Sequence, residues 1–280
     1  MLLIVAALEH ELSGLRRELR LMGRAGATVA SPTKESWDTG LPARRLELHV
    51  IGVGRGQAES RVRALLSSSR RVIGAGSPVA LLLVGFAGAV DPALRVGDLL
   101  APERYYLPGT DSPLGQGEPG GVFPLNAHGN FLEAHAGMLE QSRETIDWSG
   151  LAVAAGNSLT VGRPVSTPEA KKDILARYPV RAVNMEDYWV AQAAAEAGAP
   201  FLAVRSVLDT AQQGLPGYLV GLAESPFRAA LTTAAMPWRV PAMLRLAGAM
   251  RAAQGSLTRF ALAFALYDFS GVRGQATASK

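Results

Sequence analysis

The chain has 280 residues, 48% of them hydrophobic and 19% charged, with a net charge of +4. That is enough apolar material for a full core and too little charge for intrinsic disorder. Cysteine is absent, and His10, His49, His128 and His135 fall in no zinc spacing, which excludes disulfide scaffolds, thiolate nucleophiles, iron–sulfur clusters and cysteine zinc sites.

The opening MLLIVAALEHEL has a short apolar run, no basic stretch before it, and Glu9 and Glu11 ending it. It reads as a buried first strand and not as a signal peptide. No stretch reaches the roughly 18 apolar residues of a membrane span, so a cytoplasmic protein is expected.

Leu2–Ala7 predicts a strand, and Glu9–Leu21 a helix with Leu12, Leu15 and Leu19 on one face. Leu46–Val53 predicts a strand, followed by a glycine-rich turn (Gly52, Gly54, Gly56) and a helix over Ala58–Leu66. Val79–Val84 reads as a strand ending in a turn at Gly85-Phe86-Ala87-Gly88, and Asp98–Ala101 starts another. Residues 108–130, rich in Gly, Pro and polar side chains, predict a long loop. Ala152–Ala155 and Val180–Asn184 predict strands with a helix at Pro168–Tyr178 between them, then a helix at Glu186–Ala197 and a strand at Phe201–Val207. Alternating strands and helices predict an α/β fold with a largely parallel sheet.

The last segment differs. Residues 226–280 hold seven basic side chains against one acid, which leaves residues 1–225 at −2. The charge is therefore local, and no nucleic-acid partner is expected. From Pro241 onward Met243, Leu246, Met250, Leu257, Phe260 and Phe264 fall on one side of a helical wheel, with Arg245, Arg251 and Arg259 on the other. This predicts an amphipathic helix, interrupted near Gly255. Such a helix packs on the core or a second subunit, or lies on an anionic membrane surface.

Three acids follow predicted strands: Glu11, Glu186 and Asp209. Ligands of open α/β sheets bind at strand carboxyl ends, and paired carboxylates across a sugar suit glycosidic cleavage. One protonates the leaving group while another activates the nucleophile. Each also has a plainer reading. Glu11 and Glu186 sit in first helical turns, where the dipole favours acids, and Asp209 suits a helix cap. The turns at Gly52-Val53-Gly54 and Gly85-Phe86-Ala87-Gly88 either let backbone approach a ligand or allow close packing. Neither dinucleotide nor triphosphate fingerprint occurs.

The stretches IVAALEHEL (4–12), VGFAGAVDPALRVGDLL (84–100), NSLTVGRPVSTPEAK (157–171) and AVNMEDYWVAQAAAEAGAPFLAVRSVLDTA (182–211) resemble the nucleoside phosphorylase/nucleosidase superfamily. Within it they resemble the methylthioadenosine/S-adenosylhomocysteine nucleosidases and the hopanoid-associated phosphorylases. The resemblance implies a three-layer α/β/α sandwich around a mixed, mostly parallel sheet. A catalytic domain is expected over 1–225, with a basic helical extension and flexible tail over 226–280. It implies no metal or organic cofactor. It implies that Glu11 activates the attacking water, that Glu186 with Met185 holds the ribose hydroxyls, and that Asp209 protonates the imidazole-ring nitrogen of the purine. Phe86, Ala87 and Gly88 match positions lining the base and ribose, and Leu159 and Thr160 match the base-stacking position and its neighbour.

Five positions depart from the family pattern. Phe86 replaces a phosphate-binding serine, Leu83 an arginine, Leu208 a serine beside the aspartate, Leu159 an aromatic, and Asn157 an acid. Phe86 and Leu83 point to water as the nucleophile, whereas the name of the hopanoid branch points to phosphate. TVGRPVSTPEAK, the Gln-Gly-Leu-Pro after Asp209 and the tail at 237–253 resemble the hopanoid-associated branch most. That implies an adenosylhopane-like substrate, peripheral contact with the inner membrane face through 237–266, and a homo-oligomer, a homodimer at least. Alternatives are a methylthioadenosine/S-adenosylhomocysteine nucleosidase, a futalosine-type hydrolase, or a non-catalytic membrane-recruited protein.

Overall fold

The computed structural model describes residues 1–22, 34–38, 45–73, 78–109, 130–149, 151–214 and 240–266. The expected loop at 108–130 lies outside the described residues over 110–129, as do 215–239 and the tail beyond 266. Nine strands and six helices follow in the order β1 (Leu2–Ala6), α1 (Glu9–Leu21), β2 (Lys34–Asp38), β3 (Arg45–Val50), α2 (Arg55–Ile73), β4 (Ala80–Ala89), β5 (Leu99–Leu107), β6 (Asn130–Glu133), α3 (Ala136–Ser149), β7 (Val153–Thr160), α4 (Pro168–Arg177), β8 (Ala182–Asn184), α5 (Asp187–Glu196), β9 (Phe201–Asp209) and α6 (Val240–Leu266) among the described residues.

All strands join one mixed sheet. β1 pairs in parallel with β3 and β4, and β4 with β9, while β7 pairs in parallel with β5 and β8. The antiparallel pairs are β2–β3, β4–β8, β5–β6 and β5–β9. Because β9 pairs with both β4 and β5, and β8 with both β4 and β7, the strands β4, β9, β5, β7 and β8 close on themselves as a barrel. The layered α/β architecture is as expected, and the barrel closure is a feature that strand periodicity did not reveal.

The inner strands read as continuous apolar runs because both faces are covered. Leu2, Ile4, Leu82, Val84, Leu202 and Val204 pack under α1, α3 and α6. Leu3, Val5, Leu81, Leu83, Phe201 and Ala203 pack under α2 and α5. Along each strand successive residues alternate between the two layers, as the pleat requires. α6 is continuous through Gly255. Its second half buries Leu257, Phe260, Ala261, Phe264 and Ala265 in the same cluster as β1 and α1.

Candidate active site

The site is built on residues 85–88, which the sequence predicts as a turn. They are strand: β4 runs to Ala89 and pairs with β9 through Gly88. Glycine inside a strand marks a place where another group comes close. A Cβ at Gly85 would collide with the Arg205 guanidinium and lie 3.0 Å from Glu11 Oε1, and one at Gly88 would lie 3.3 Å from both carboxyl oxygens of Asp209. The two glycines leave room for three functional side chains.

Glu11 lies in the first turn of α1, directly after β1. Its Oε2 accepts from the Leu8 backbone N–H at 2.8 Å and its Oε1 from the Phe86 N–H at 2.9 Å. The plainer reading as a helix-start acid therefore holds for one oxygen, while the other is tied to β4. Burial pushes its carboxyl above the usual range, against the pull of Arg205 and of the backbone N–H groups.

Glu186 stands at the N-cap of α5, but its side chain does not cap the helix. Asn184 does so: its Oδ1 accepts from the N–H groups of Glu186 at 3.0 Å and Asp187 at 2.8 Å. That frees the Glu186 carboxylate, which accepts from the Gly54 N–H at 3.3 Å and from Arg205 at 3.3 Å. Gly54 sits at φ +79°, so its N–H reaches Glu186 from a backbone conformation glycine adopts without strain. Burial pushes the Glu186 carboxyl up to about 7, against the pull of Arg205. β8 runs antiparallel to β4, Gly88 facing Val183, so the end of β8 is carried back toward Gly85.

Arg205 ties these parts together. It is 1% exposed and projects from β9. Its Nε donates to Asp187 Oδ1 at 2.8 Å, and its terminal nitrogens donate to Glu186 and to the Phe86 carbonyl. Burial opposes its charge, but Asp187, Glu186 and Glu11 outweigh that and hold its proton. Asp187 is fully buried and accepts in addition from Ser158 and Asn184, each at 2.7 Å. Thr160 accepts from the Tyr188 N–H at 2.9 Å and donates to Asn184 at 3.2 Å. It thus holds the start of α5.

Asp209 is the last residue of β9. A register shift makes it, and not Leu208, the partner of Gly88; bulges of this kind re-aim side chains next to functional sites. Asp209 caps no described helix. Its Oδ2 accepts from Lys171 of α4, which is completely buried. Burial pushes the Asp209 carboxyl up, and Lys171 pulls it down.

The remaining expected residues are spread around this frame. Phe86 is half-buried and stacks on His10 with ring centroids 5.9 Å apart. Ala87 packs with Leu100 and Ala182. Leu159 is fully buried among Val90, Tyr106, Val161 and Val183, with Met185 against the same cluster. Leu83 points into the layer under α2 and α5. Sequence reasoning missed Arg205, Asp187, Asn184 and Lys171. The signal for Arg205 was a lone charge inside an otherwise apolar strand. Among the described residues no group of histidines and acids has metal-ligand geometry, and no helix is long and apolar enough to cross a membrane.

Two buried carboxyls, Glu11 and Asp209, thus lie against one short stretch of β4, and a third, Glu186, is joined to it through Arg205; all three have raised proton affinity. That set can hold a proton to deliver, accept one from a nucleophile, and bind hydroxyl groups. Residues 45–235 match the sequence profile of the Phosphorylase superfamily. The 5′-methylthioadenosine/S-adenosylhomocysteine nucleosidase of Staphylococcus aureus (strain JH9) is 25% identical over 235 residues, spanning 83% of this chain and 93% of that protein. The solved nucleosidase of the same name from Neisseria meningitidis, in complex with methylthio-immucillin-A, has a TM-score of 0.65 and 17% identity over 95% of this chain and 98% of that one. The native futalosine hydrolase of Helicobacter pylori strain 26695 has a TM-score of 0.61 and 17% identity over 93% of this chain and 96% of that one.

Proposed function

The chain belongs to the phosphorylase superfamily, and we propose that it cleaves the N-glycosidic bond of a 5′-substituted adenosine, releasing adenine. The observation that carries this reading is that Glu11 and Asp209 lie directly against residues 85–88 while Glu186 is tied to the same stretch through Arg205, which donates to both Glu186 and the Phe86 carbonyl. Asp209 donates its proton to the imidazole-ring nitrogen of the purine, so the base leaves neutral. The electrons of the C–N bond go to the purine, and the sugar passes through a cationic transition state that the surrounding carboxylates favour. Glu11 takes a proton from the attacking water, whose oxygen bonds to the anomeric carbon. Glu186, with Met185 beside it, takes the ribose hydroxyls. Phe86, Ala87 and Gly88 line the base and ribose positions, while Leu159, fully buried in its own apolar cluster, and Thr160, bonded to Asn184 and to the Tyr188 N–H, act on them only by holding the surrounding frame.

Water is the proposed nucleophile. Arg205 already serves Asp187 and Glu186, Leu83 is buried away from the site, and two carboxylates disfavour a phosphate dianion beside them. In this reading, adenine release from 5′-methylthioadenosine proceeds at full rate in phosphate-free buffer. Absolute dependence on phosphate would make the protein a phosphorylase instead. No adenine release under either condition from 5′-methylthioadenosine or from an adenosine carrying a lipid at its 5′ carbon would leave a binding protein on this scaffold.

For the 5′ substituent we propose a lipid of the adenosylhopane type, ahead of methylthioadenosine, S-adenosylhomocysteine and futalosine. Beyond the resemblance of the tail, support comes from the first half of α6, where Leu244 is 67% exposed beside exposed Arg245 and Arg251. Flotation of the full chain with anionic vesicles is the expected result. Equal flotation of a chain in which Leu244 and Arg245 are both replaced by serine would remove the proposed membrane contact.

A further inference from the structure

Lys171 lies beside the proposed chemistry without a role in it. It enters from the first turn of α4, whose start is fixed by Pro168 and by Thr167, which accepts from the Ala170 N–H. Its ammonium is completely buried and donates to Asp209 Oδ2, to the Thr210 carbonyl at 2.7 Å and to the Gln213 carbonyl at 3.0 Å. Three acceptors match the three N–H bonds of an ammonium. A neutral amine would turn its lone pair toward one of these oxygens, so the geometry specifies the charged form. A buried charge persists when paired and fully hydrogen-bonded, and Lys171 is both.

We propose that Lys171 is a positioning residue for the reaction, fixing Asp209 by Oδ2, leaving Oδ1 as the oxygen that carries the proton, and stabilising the carboxylate left once that proton is delivered. This rests on the reading of Asp209 as the general acid. The ammonium makes Oδ2 the poorer place for a proton. As the C–N bond breaks, the proton passes from Oδ1 to the purine nitrogen and negative charge grows on the carboxylate against Lys171. A donor already aimed at developing charge needs no reorganisation during the reaction. Asp209 then regains a proton from solvent, while the water proton held by Glu11 returns to it.

Other groups around Asp209 do not compete. β4 presents Gly88, the turn after β9 presents the Thr210 and Gln213 carbonyls, and α4 presents Lys171. Among the described residues Lys171 is the charged group that acts on the carboxyl.

The test is the titration of the Asp209 carboxyl, followed by carbon-13 NMR in the full chain and assigned with Asp209→Asn. Wild type is compared with Lys171→Met and Lys171→Gln, whichever folds by thermal melt. Loss of a neighbouring cation raises a carboxyl by about one to three pH units, and the midpoint is expected to rise by that much. The alkaline limb of kcat/KM for adenine release should move the same way while the maximal rate falls. A midpoint that stays at the wild-type value in a folded neutral variant overturns the proposal. So does a moved midpoint with an unmoved limb. The NMR midpoint needs no substrate, so an inactive wild type would sink the proposed reaction and leave the coupling legible.

Discussion

At the scale of single residues, the acids are fixed by their neighbours. Glu11 closes the start of α1 with one oxygen and holds β4 with the other, so both oxygens carry a structural bond beside the role proposed for the residue. Glu186 is spared capping duty by Asn184, and its raised proton affinity, to about 7, has a stability consequence. The folded chain binds this proton more tightly than the unfolded chain. Its contribution to stability is therefore complete below the ordinary carboxylate range and is lost as pH rises through about 7. Glu186→Gln keeps the neutral shape at every pH. The variant should melt above wild type at about pH 8 and draw level toward about pH 5, at the expense of activity. A melting difference independent of pH would contradict the raised carboxyl. Gly85 shows what residue identity alone conceals. It reads as a turn former, yet its missing side chain serves Arg205, which lies 119 positions beyond the adjoining Phe86 and donates to the Phe86 carbonyl.

At the scale of elements, local pattern succeeded where burial was simple. β1, α1, α2, α4, α5 and β9 follow directly from apolar runs and the 3.6-residue period. β4 was misjudged at its glycines, because the partner that makes them tolerable is tertiary. β7 continues to Thr160, past Asn157 and Ser158, residues with poor strand propensity; Ser158 is held there by Asp187. α3 was not foreseen, and buried Gln141 and Thr145 interrupt its apolar stripe. The helix at 240–266 was foreseen, but the break at Gly255 was not observed. Glycine inside a helix costs about 1 kcal/mol relative to alanine, and the buried Leu257, Phe260 and Phe264 offset that. Phe260 is fully buried and stacks on Phe264 with centroids 5.7 Å apart. Phe260→Ala should destabilise the protein by about 3–5 kcal/mol in urea unfolding. A loss below about 1 kcal/mol would mean that this half of α6 is not part of the core.

At the scale of the whole molecule, closure of β4, β9, β5, β7 and β8 into a barrel brings distant segments to one place. The sequence order of the three acids was legible; that Glu11 and Asp209 lie against β4 with Glu186 joined to it through Arg205 was not, because no local period encodes which strands pair across the closure. Nor was the buried network of Arg205, Asp187, Asn184 and Ser158, whose members look like isolated polar residues in apolar strands and helix starts. Burial holds the proton affinity of Glu186 and Glu11 high against the pull of Arg205, whose charge the network shares with Asp187, and that suits a neutral nucleophile. The central claim is the delivery of a proton by Asp209. The most direct measurement is single-turnover adenine release by Asp209→Asn beside wild type, in phosphate-free buffer and with equal melting temperatures. A general acid contributes about 10²–10⁴-fold, so the variant should be slower by about that factor. Release at a rate close to wild type would contradict the account.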